Sequence, residues 1–336
     1  MKLSDFDYML PEQMIAQYPL QKRDQARLMV VNRLTKEIIH DYFFNIEKYI
    51  PRKSIFIAND SKVVPARLFG YMEHSGREVE VFLLKALDGG YQYEALLRPL
   101  RKIKYGEKII FNGTMIYAKL IDHQKKIVEF NKKDAMKDLA KIGHMPLPPY
   151  IHRGDEPSDR ENYQTVYAKH LGSVAAPTAG LHFTKRLLAQ LKKSGHKFGK
   201  VTLHVNYGTF RPVQEADITK HQMHHEEYAM TKAIADMVKK AKEQKQNIVG
   251  VGTTSCRVLE TYAKTGELKG NTNLFVYPGF SFKMIDILLT NFHLPKSTLL
   301  MLVCAFAETP LVMRAYEEAI KEKYRFYSYG DCMIIQ

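Results

Sequence analysis

The segment NIVGVGTTSCRVLE, Asn247 to Glu260, has the form of a short buried strand, a small polar turn and a helix. Layered α/β domains are built by repeating that unit, and the surrounding sequence repeats it. Upstream, a helix is expected near DRENYQTVYAKH, another from Thr184, then a strand KVTLHV and a helix TKAIADMVKKAKEQ. Downstream come strands NLFVY and DILLT, helices from Ser297 and Thr309, and a strand CMIIQ. The first sixty or so residues add a short helix after Pro11, a hairpin over RLMVVNRLTKEIIHDYFF with its turn near Arg33 to Lys36, and a buried strand SIFIAND.

Between Pro65 and Asn131 the texture changes. The short runs ARLFGYM, REVEVFLL, YQYEALLR, EKIIF, MIYAKLI and KIVEF follow one another, separated by HSG, DGG, KYG and FNG. Strands at this spacing with glycine turns predict a small antiparallel barrel or sandwich. The proline-rich MPLPPYI, Met145 to Ile151, then reads as a stiff return linker. The expected fold is α/β: a layered main domain over residues 1–64 and 147–336, with a small antiparallel β-barrel domain inserted over 65–146.

Composition sets the class. A chain of 336 residues, 45% hydrophobic and 26% charged, buries a sizeable core and is not a disordered polymer. No apolar run is long enough to span a bilayer and the N-terminus lacks an apolar leader, so a cytoplasmic protein without membrane partners is expected. Three separated cysteines, Cys256, Cys304 and Cys332, offer neither a disulfide framework nor a thiolate zinc site. The formal charge of +14 favours polyanionic partners such as tRNA, although VKKAKEQKQ and LKKSGHKFGK read equally well as solvated helix faces.

Several stretches carry residue types fit for chemistry. In GSVAAPTAGLHFT, Gly172 to Thr184, small residues surround one proline before His182 arrives. Such a run either lets backbone lie against a ligand or makes a tight connection between packed elements. In VGTTS, one of Thr253, Thr254 and Ser255 is expected to cap the following helix, whose first N–H groups suit an anion. The cluster KHQMHHEEY holds His221, His224 and His225 beside Glu226 and Glu227, but its spacing is not that of a helical zinc site, and no metal is expected. Asn291 and His293 sit in the connection after DILLT, where open α/β sheets place ligand-facing groups.

Taken together, GSVAAPTAGLHFT, GTFRPV, VGTTSCRVLE, LFVYPGFSF, TNFHLPKSTLLMLV and YRFYSYGDCMII, with ENYQTVYA and an early ARLMVV, resemble the S-adenosylmethionine:tRNA ribosyltransferase-isomerase family of queuosine biosynthesis. The resemblance runs from Asp7 to the final residues in the family's order. It departs at HVNYGTF, where Asn206 and Tyr207 stand in a turn the family makes glycine-rich, and at His225, onto which no role is carried.

The resemblance implies transfer and isomerisation of the ribosyl part of S-adenosylmethionine onto 7-aminomethyl-7-deazaguanine at the tRNA wobble position, giving epoxyqueuosine-tRNA, adenine and methionine. S-adenosylmethionine is then a co-substrate, and no true cofactor is implied. A base must take a ribose proton acidified by the sulfonium, and adenine must leave, so groups that exchange protons near neutral pH are required. His182, His293, Glu226 and Asp286 are the candidates, with His182 favoured. Thr178, Ala179 and Gly180 are assigned to the nucleoside, Thr253, Thr254, Ser255 and Arg257 to the methionine carboxylate, and Arg325 and Tyr329 to the same cleft. In the barrel, LLRPLRKIKYGEK offers Arg98, Arg101, Lys102 and Lys104 to the tRNA. A monomer is expected. Two rival readings stay open on sequence alone: a tRNA-binding module without catalysis, and another enzyme on the same scaffold, either an S-adenosylmethionine-dependent RNA-modifying enzyme such as a methyltransferase or a metal-dependent RNA hydrolase.

Overall fold

The computed structural model describes residues 1–87, 89–206 and 213–336. The chain divides into two compact units. One comprises Met1–Lys62, Pro148–Arg153 and Glu161–Gln336, and the other Val63–Leu147 with Gly154–Arg160.

The larger unit is built on a nine-stranded sheet in the order Lys269–Thr272, Glu226–Ala229, Lys197–Leu203, Ile55–Asn59, Ile248–Val251, Ile287–Asn291, Cys332–Ile335, Arg27–Val31 and Ile38–Tyr42. Strands Lys197–Leu203, Ile55–Asn59, Ile248–Val251 and Ile287–Asn291 run parallel. Cys332–Ile335 is antiparallel to Ile287–Asn291 and parallel to Arg27–Val31. The inner strands are apolar on both faces, as burial between two layers requires: every residue of Ile55–Asn59, Ile248–Val251 and Ile287–Asn291 is buried. One face, carrying Leu28, Phe56, Val249, Leu289 and Ile334, packs on Phe43, Phe183, Leu187 and Leu191. The other receives helix Lys232–Glu243, whose Ile234 and Met237 would be struck by any Cβ at Gly199.

Helix starts follow their sequence signals. Thr184, Thr231 and Ser297 each accept a hydrogen bond from the backbone N–H three residues on, opening Lys185–Lys193, Lys232–Glu243 and Thr298–Ala307. Helix Gly252–Thr265 ends where Gly266 turns left-handed, φ 74°. Helix Thr309–Lys321 completes the unit. Among the described residues no single helix is long and apolar enough to cross a membrane.

Three expected elements differ. The helix near DRENYQTVYAKH is only one turn, Asp159–Asn162, because Tyr163, Gln164 and Thr165 are consecutively buried, which a one-sided helix cannot achieve. NLFVY forms no strand; the pairing strand is the polar KGNT just before it, tolerable because it lies at the sheet edge. After Pro11 there is a 3-10 turn, Glu12–Met14.

The smaller unit is a closed barrel of six antiparallel strands, Arg67–Met72, Glu78–Ala86, Gln92–Arg98, Lys108–Ile110, Tyr117–Asp122 and Ile127–Phe130. Alternation decides its inside: Leu68, Val79, Val81, Ala95, Leu97, Ile109, Ala118, Leu120 and Val128 are all buried. Gly70 is glycine because a Cβ would lie 2.6 Å from the Ile110 carbonyl oxygen.

Candidate active site

The carboxyl ends of the parallel strands meet at one edge of the sheet, and there the chain opens a cleft. Gly252 follows Ile248–Val251, Asn291 ends Ile287–Asn291, and Val205 follows Lys197–Leu203; all three line it. Because Cys332–Ile335 runs the opposite way to its neighbour, the residues before it, Tyr327 and Ser328, arrive at the same edge. Thr178, Ala179, Thr253, Thr254, Thr290, His293 and Tyr150 complete the wall.

The helix that begins at Gly252 has no side-chain cap. Its N-cap is Val251, so none of Thr253, Thr254 and Ser255 caps it, and Ser255 Oγ instead donates back to the Val251 carbonyl at 2.8 Å. The first N–H groups therefore keep no intrahelical partner and meet the cleft as a partial positive charge. Gly252 turns at φ +85° to make this possible, a conformation that side-chain-bearing residues rarely adopt. The Thr254 hydroxyl beside it is buried with no hydrogen-bond partner among the described residues.

His293 stands on the opposite wall. Its Nε2 lies 2.7 Å from Thr290 Oγ1, and that hydroxyl reaches the Asn291 carbonyl at 3.3 Å. If the hydroxyl donates there, Nε2 carries the proton and Nδ1 is the basic nitrogen. The backbone of His293 is fixed from both sides: its N–H donates to Tyr316 Oη at 2.9 Å and its carbonyl accepts from the Tyr8 hydroxyl. Burial lowers its pKa to about 3, so the imidazole is neutral at pH 7.

His182 lines a different cleft, with Arg23 and Tyr329, across the Tyr327–Gly330 segment. Burial first, with opposing help from the Asn291 side chain and the Arg23 backbone, lowers its pKa to about 4. Its Nε2 is 3.3 Å from Asn291 Oδ1, and Asn291 Nδ2 donates to the Tyr327 carbonyl at 2.9 Å. Asn291 thus ties His182 to the wall of the first cleft. Tyr327 needs that tie: its φ of 70° costs a bulky residue roughly 1–3 kcal/mol.

The other expected residues divide plainly. Thr178 and Ala179 face the cleft, but Gly180 does not: a Cβ there would lie 2.2 Å from Tyr167 Oη, so packing requires the glycine. Arg257 and Glu226 are buried against each other as an ion pair, with Arg257 Nε donating to the Leu274 carbonyl at 3.1 Å and Glu226 accepting from the Asn206 N–H at 3.0 Å. Neither lines the cleft. Asp286 immediately precedes the strand whose far end is Asn291, five positions and about 17 Å further along the chain. It binds Lys242 at 2.8 Å and the Ile248 N–H at 2.9 Å. Arg325 donates to the Tyr18 carbonyl, and Tyr329 lines the His182 cleft. Tyr207 and the GTFRP residues that follow lie outside the described residues. Arg98, Arg101, Lys102 and Lys104 are exposed on the barrel. Among the described residues, no three His, Cys, Asp or Glu side chains are grouped to hold a metal ion.

Sequence reading missed Tyr150, Thr290, Tyr327 and Ser328. Tyr327 and Ser328 lie between the two residues chosen from YRFYSYGD, and the left-handed turn that aims them leaves no compositional mark. Tyr150 was hidden in a stretch read as linker.

The chain is similar to known proteins over its whole length. Residues 3–335 match the family described as queuosine biosynthesis protein. The S-adenosylmethionine:tRNA ribosyltransferase-isomerase of Sulfurihydrogenibium sp. (strain YO3AOP1) is 51% identical, with 100% of both chains covered. That of Carboxydothermus hydrogenoformans is 47% identical over the same full coverage. The crystal structure of S-adenosylmethionine tRNA ribosyltransferase from Thermotoga maritima is 36% identical, superposes with a TM-score of 0.58, and covers 99% of this chain and 100% of its own. A match from the third residue almost to the last places the chain in the queuosine biosynthesis protein family.

Proposed function

We propose that the protein is an S-adenosylmethionine:tRNA ribosyltransferase-isomerase, which moves the ribosyl group of S-adenosylmethionine onto the aminomethyl group of a 7-deazaguanine at the tRNA wobble position. One observation carries the reading at the site: a helix N-terminus without a side-chain cap and a buried Thr254 hydroxyl without a partner, both among the described residues, open onto the same cleft as His293. The helix end and the threonines suit the methionine carboxylate. Small side chains at Ala176 to Ala179 leave the nucleoside room against the backbone.

His293 is the proton acceptor of this scheme. It takes the proton from the ribose carbon next to the sulfonium; the ribose C–N bond to adenine breaks, adenine leaving with a proton; the neutral tRNA amine bonds to the ribosyl group and gives up a proton; and the sulfonium C–S bond breaks, releasing methionine as a ribose oxygen closes the epoxide. Burial keeps the imidazole unprotonated before the reaction and also weakens it as a base, so the acidification of the ribose C–H by the sulfonium supplies the driving force. His182 acts through Asn291 as a positioning residue. Arg98, Arg101, Lys102 and Lys104 hold tRNA phosphates. The protein works in the cytoplasm as a monomer and without a metal.

Mass spectrometry of nucleosides, after incubating the protein with S-adenosylmethionine and tRNA bearing the deazaguanine, tests the reaction. Epoxyqueuosine together with free adenine is expected. Methylated nucleosides, or turnover abolished by a chelator, would replace this reading with one of its rivals.

A further inference from the structure

The outer face of the barrel carries a feature that folding of the barrel does not require. On strand Arg67–Met72 the even positions are buried, and Arg67, Phe69 and Tyr71 point outward. Phe69 is 53% exposed in mid-strand, whereas the barrel's other phenylalanines, Phe82, Phe111 and Phe130, are buried. Its ring is braced by His144 in a T-shaped contact, 5.0 Å between centroids and 78° between planes. His144 is itself fixed by Asp155, 2.7 Å from its Nδ1. One aromatic face is thus held rigid and left to solvent.

Charge lies beside it. The strand register puts Phe69 opposite Glu80, and Glu80 opposite Arg98. Those three residues form one outward row, with Phe69 and Arg98 about 10 Å apart at two interstrand spacings. Glu80 in the middle is already taken by Arg67, Nε to carboxylate 3.1 Å. Arg98, and Arg101, Lys102 and Lys104 after it, make no ion pair among the described residues. A rigid exposed ring next to a file of unpaired cations is the arrangement by which proteins hold unpaired nucleotides: a base on the ring, phosphates on the cations.

We infer that this face is a stacking platform for a single-stranded RNA nucleotide, with Phe69 under the base and Arg98 at the neighbouring phosphate. The inference rests on tRNA being the substrate, and names the loop of that tRNA as the part the barrel holds.

The chain contains no tryptophan, so Phe69→Trp creates a single tryptophan, selectively excited apart from the tyrosines, at an exposed position. Titration of that variant with a tRNA anticodon stem-loop should quench its emission saturably, with affinity close to wild type. Phe69→Ala should weaken stem-loop binding on the order of 10-fold. The slope of log affinity against log salt should stay unchanged, because no cation is removed. Wild-type affinity in the Ala variant, or Trp emission that stays flat through saturation, overturns the inference. So does equal competition by a blunt RNA duplex without a loop. Should wild-type protein bind neither stem-loop nor whole tRNA, the functional reading itself falls, an outcome that filter binding of the unmodified protein separates from the others.

Discussion

Gly180 stands in a run of small residues that reads as cleared for a ligand, yet its surroundings assign it to packing, and the two roles predict different mutants. A Cβ at position 180 would lie 2.2 Å from Tyr167 Oη, 2.8 Å from Thr165 Cγ2 and 3.2 Å from Tyr167 Cζ. Thr165 and Tyr167 are 4% and 8% exposed, and the Tyr167 ring is wedged against Phe198 at 5.3 Å. Nothing there yields cheaply, so Gly180→Ala should cost about 2–3 kcal/mol, the upper part of the range for overpacking. The Tyr167 hydroxyl has no hydrogen-bond partner among the described residues. Its removal in Tyr167→Phe therefore relieves a buried polar group and should be neutral to stabilising by about 1 kcal/mol. In the double variant the 2.2 Å contact vanishes, but those to Thr165 and to the ring carbon persist. Rescue should be partial, with a coupling of about 1–1.5 kcal/mol. Urea denaturation of the four proteins at pH 7 supplies the cycle, provided their m-values agree. Additive losses, or an Ala variant as stable as wild type with a raised KM for S-adenosylmethionine, would refute the packing argument and return Gly180 to the ligand.

Three further outcomes are expected. His293→Asn should slow tRNA-dependent adenine release on the order of 10²–10⁴-fold, and His182→Asn by less; the reverse order, measured by single-turnover adenine release, would move the proton acceptor to the second cleft. Both histidines have folded-state pKa values held below 6.5, at about 4 and about 3, so the stability tied to their neutral forms is complete above pH 6.5 and is lost as pH falls from there. Urea midpoints should drop between pH 7 and pH 5, and less steeply in His182→Asn; equal slopes would show that His182 is not buried neutral. Replacing Arg98, Arg101 and Lys102 together by Ala should reduce the salt slope of tRNA binding by roughly 0.7–0.9 for each phosphate no longer neutralised, and an unchanged slope would put the phosphates elsewhere.

The architecture was legible where periodicity is strong. Alternation in ARLFGYM and its successors marks barrel strands because one face must be dry, and SIFIAND, NIVGVG and DILLT mark central strands because both faces must be. The polar strand KGNT escaped because edge strands need no apolar pattern. Thr253, Thr254 and His293 line one cleft because strand ends and helix starts, which show in sequence, meet at a common edge. Asp286 precedes the strand Ile287–Asn291 and so lies at the end opposite the carboxyl edge where the cleft opens. Glu226 and Arg257 each look functional alone; only the fold reveals that they neutralise one another.

The strand Cys332–Ile335 lies between Ile287–Asn291 and Arg27–Val31, joining a hairpin near the start of the chain to the rest of the sheet. Cys332 meets the Arg27 carbonyl across a separation of 305 residues. During synthesis, that hairpin can find no place in the sheet until this late segment emerges. Meanwhile Ile287–Asn291, buried throughout in the finished fold, has one backbone edge unpaired. Pairings this distant are slow to form, so the newborn chain passes through a stage with an open, sticky edge, and losing these few residues would leave that edge exposed for good.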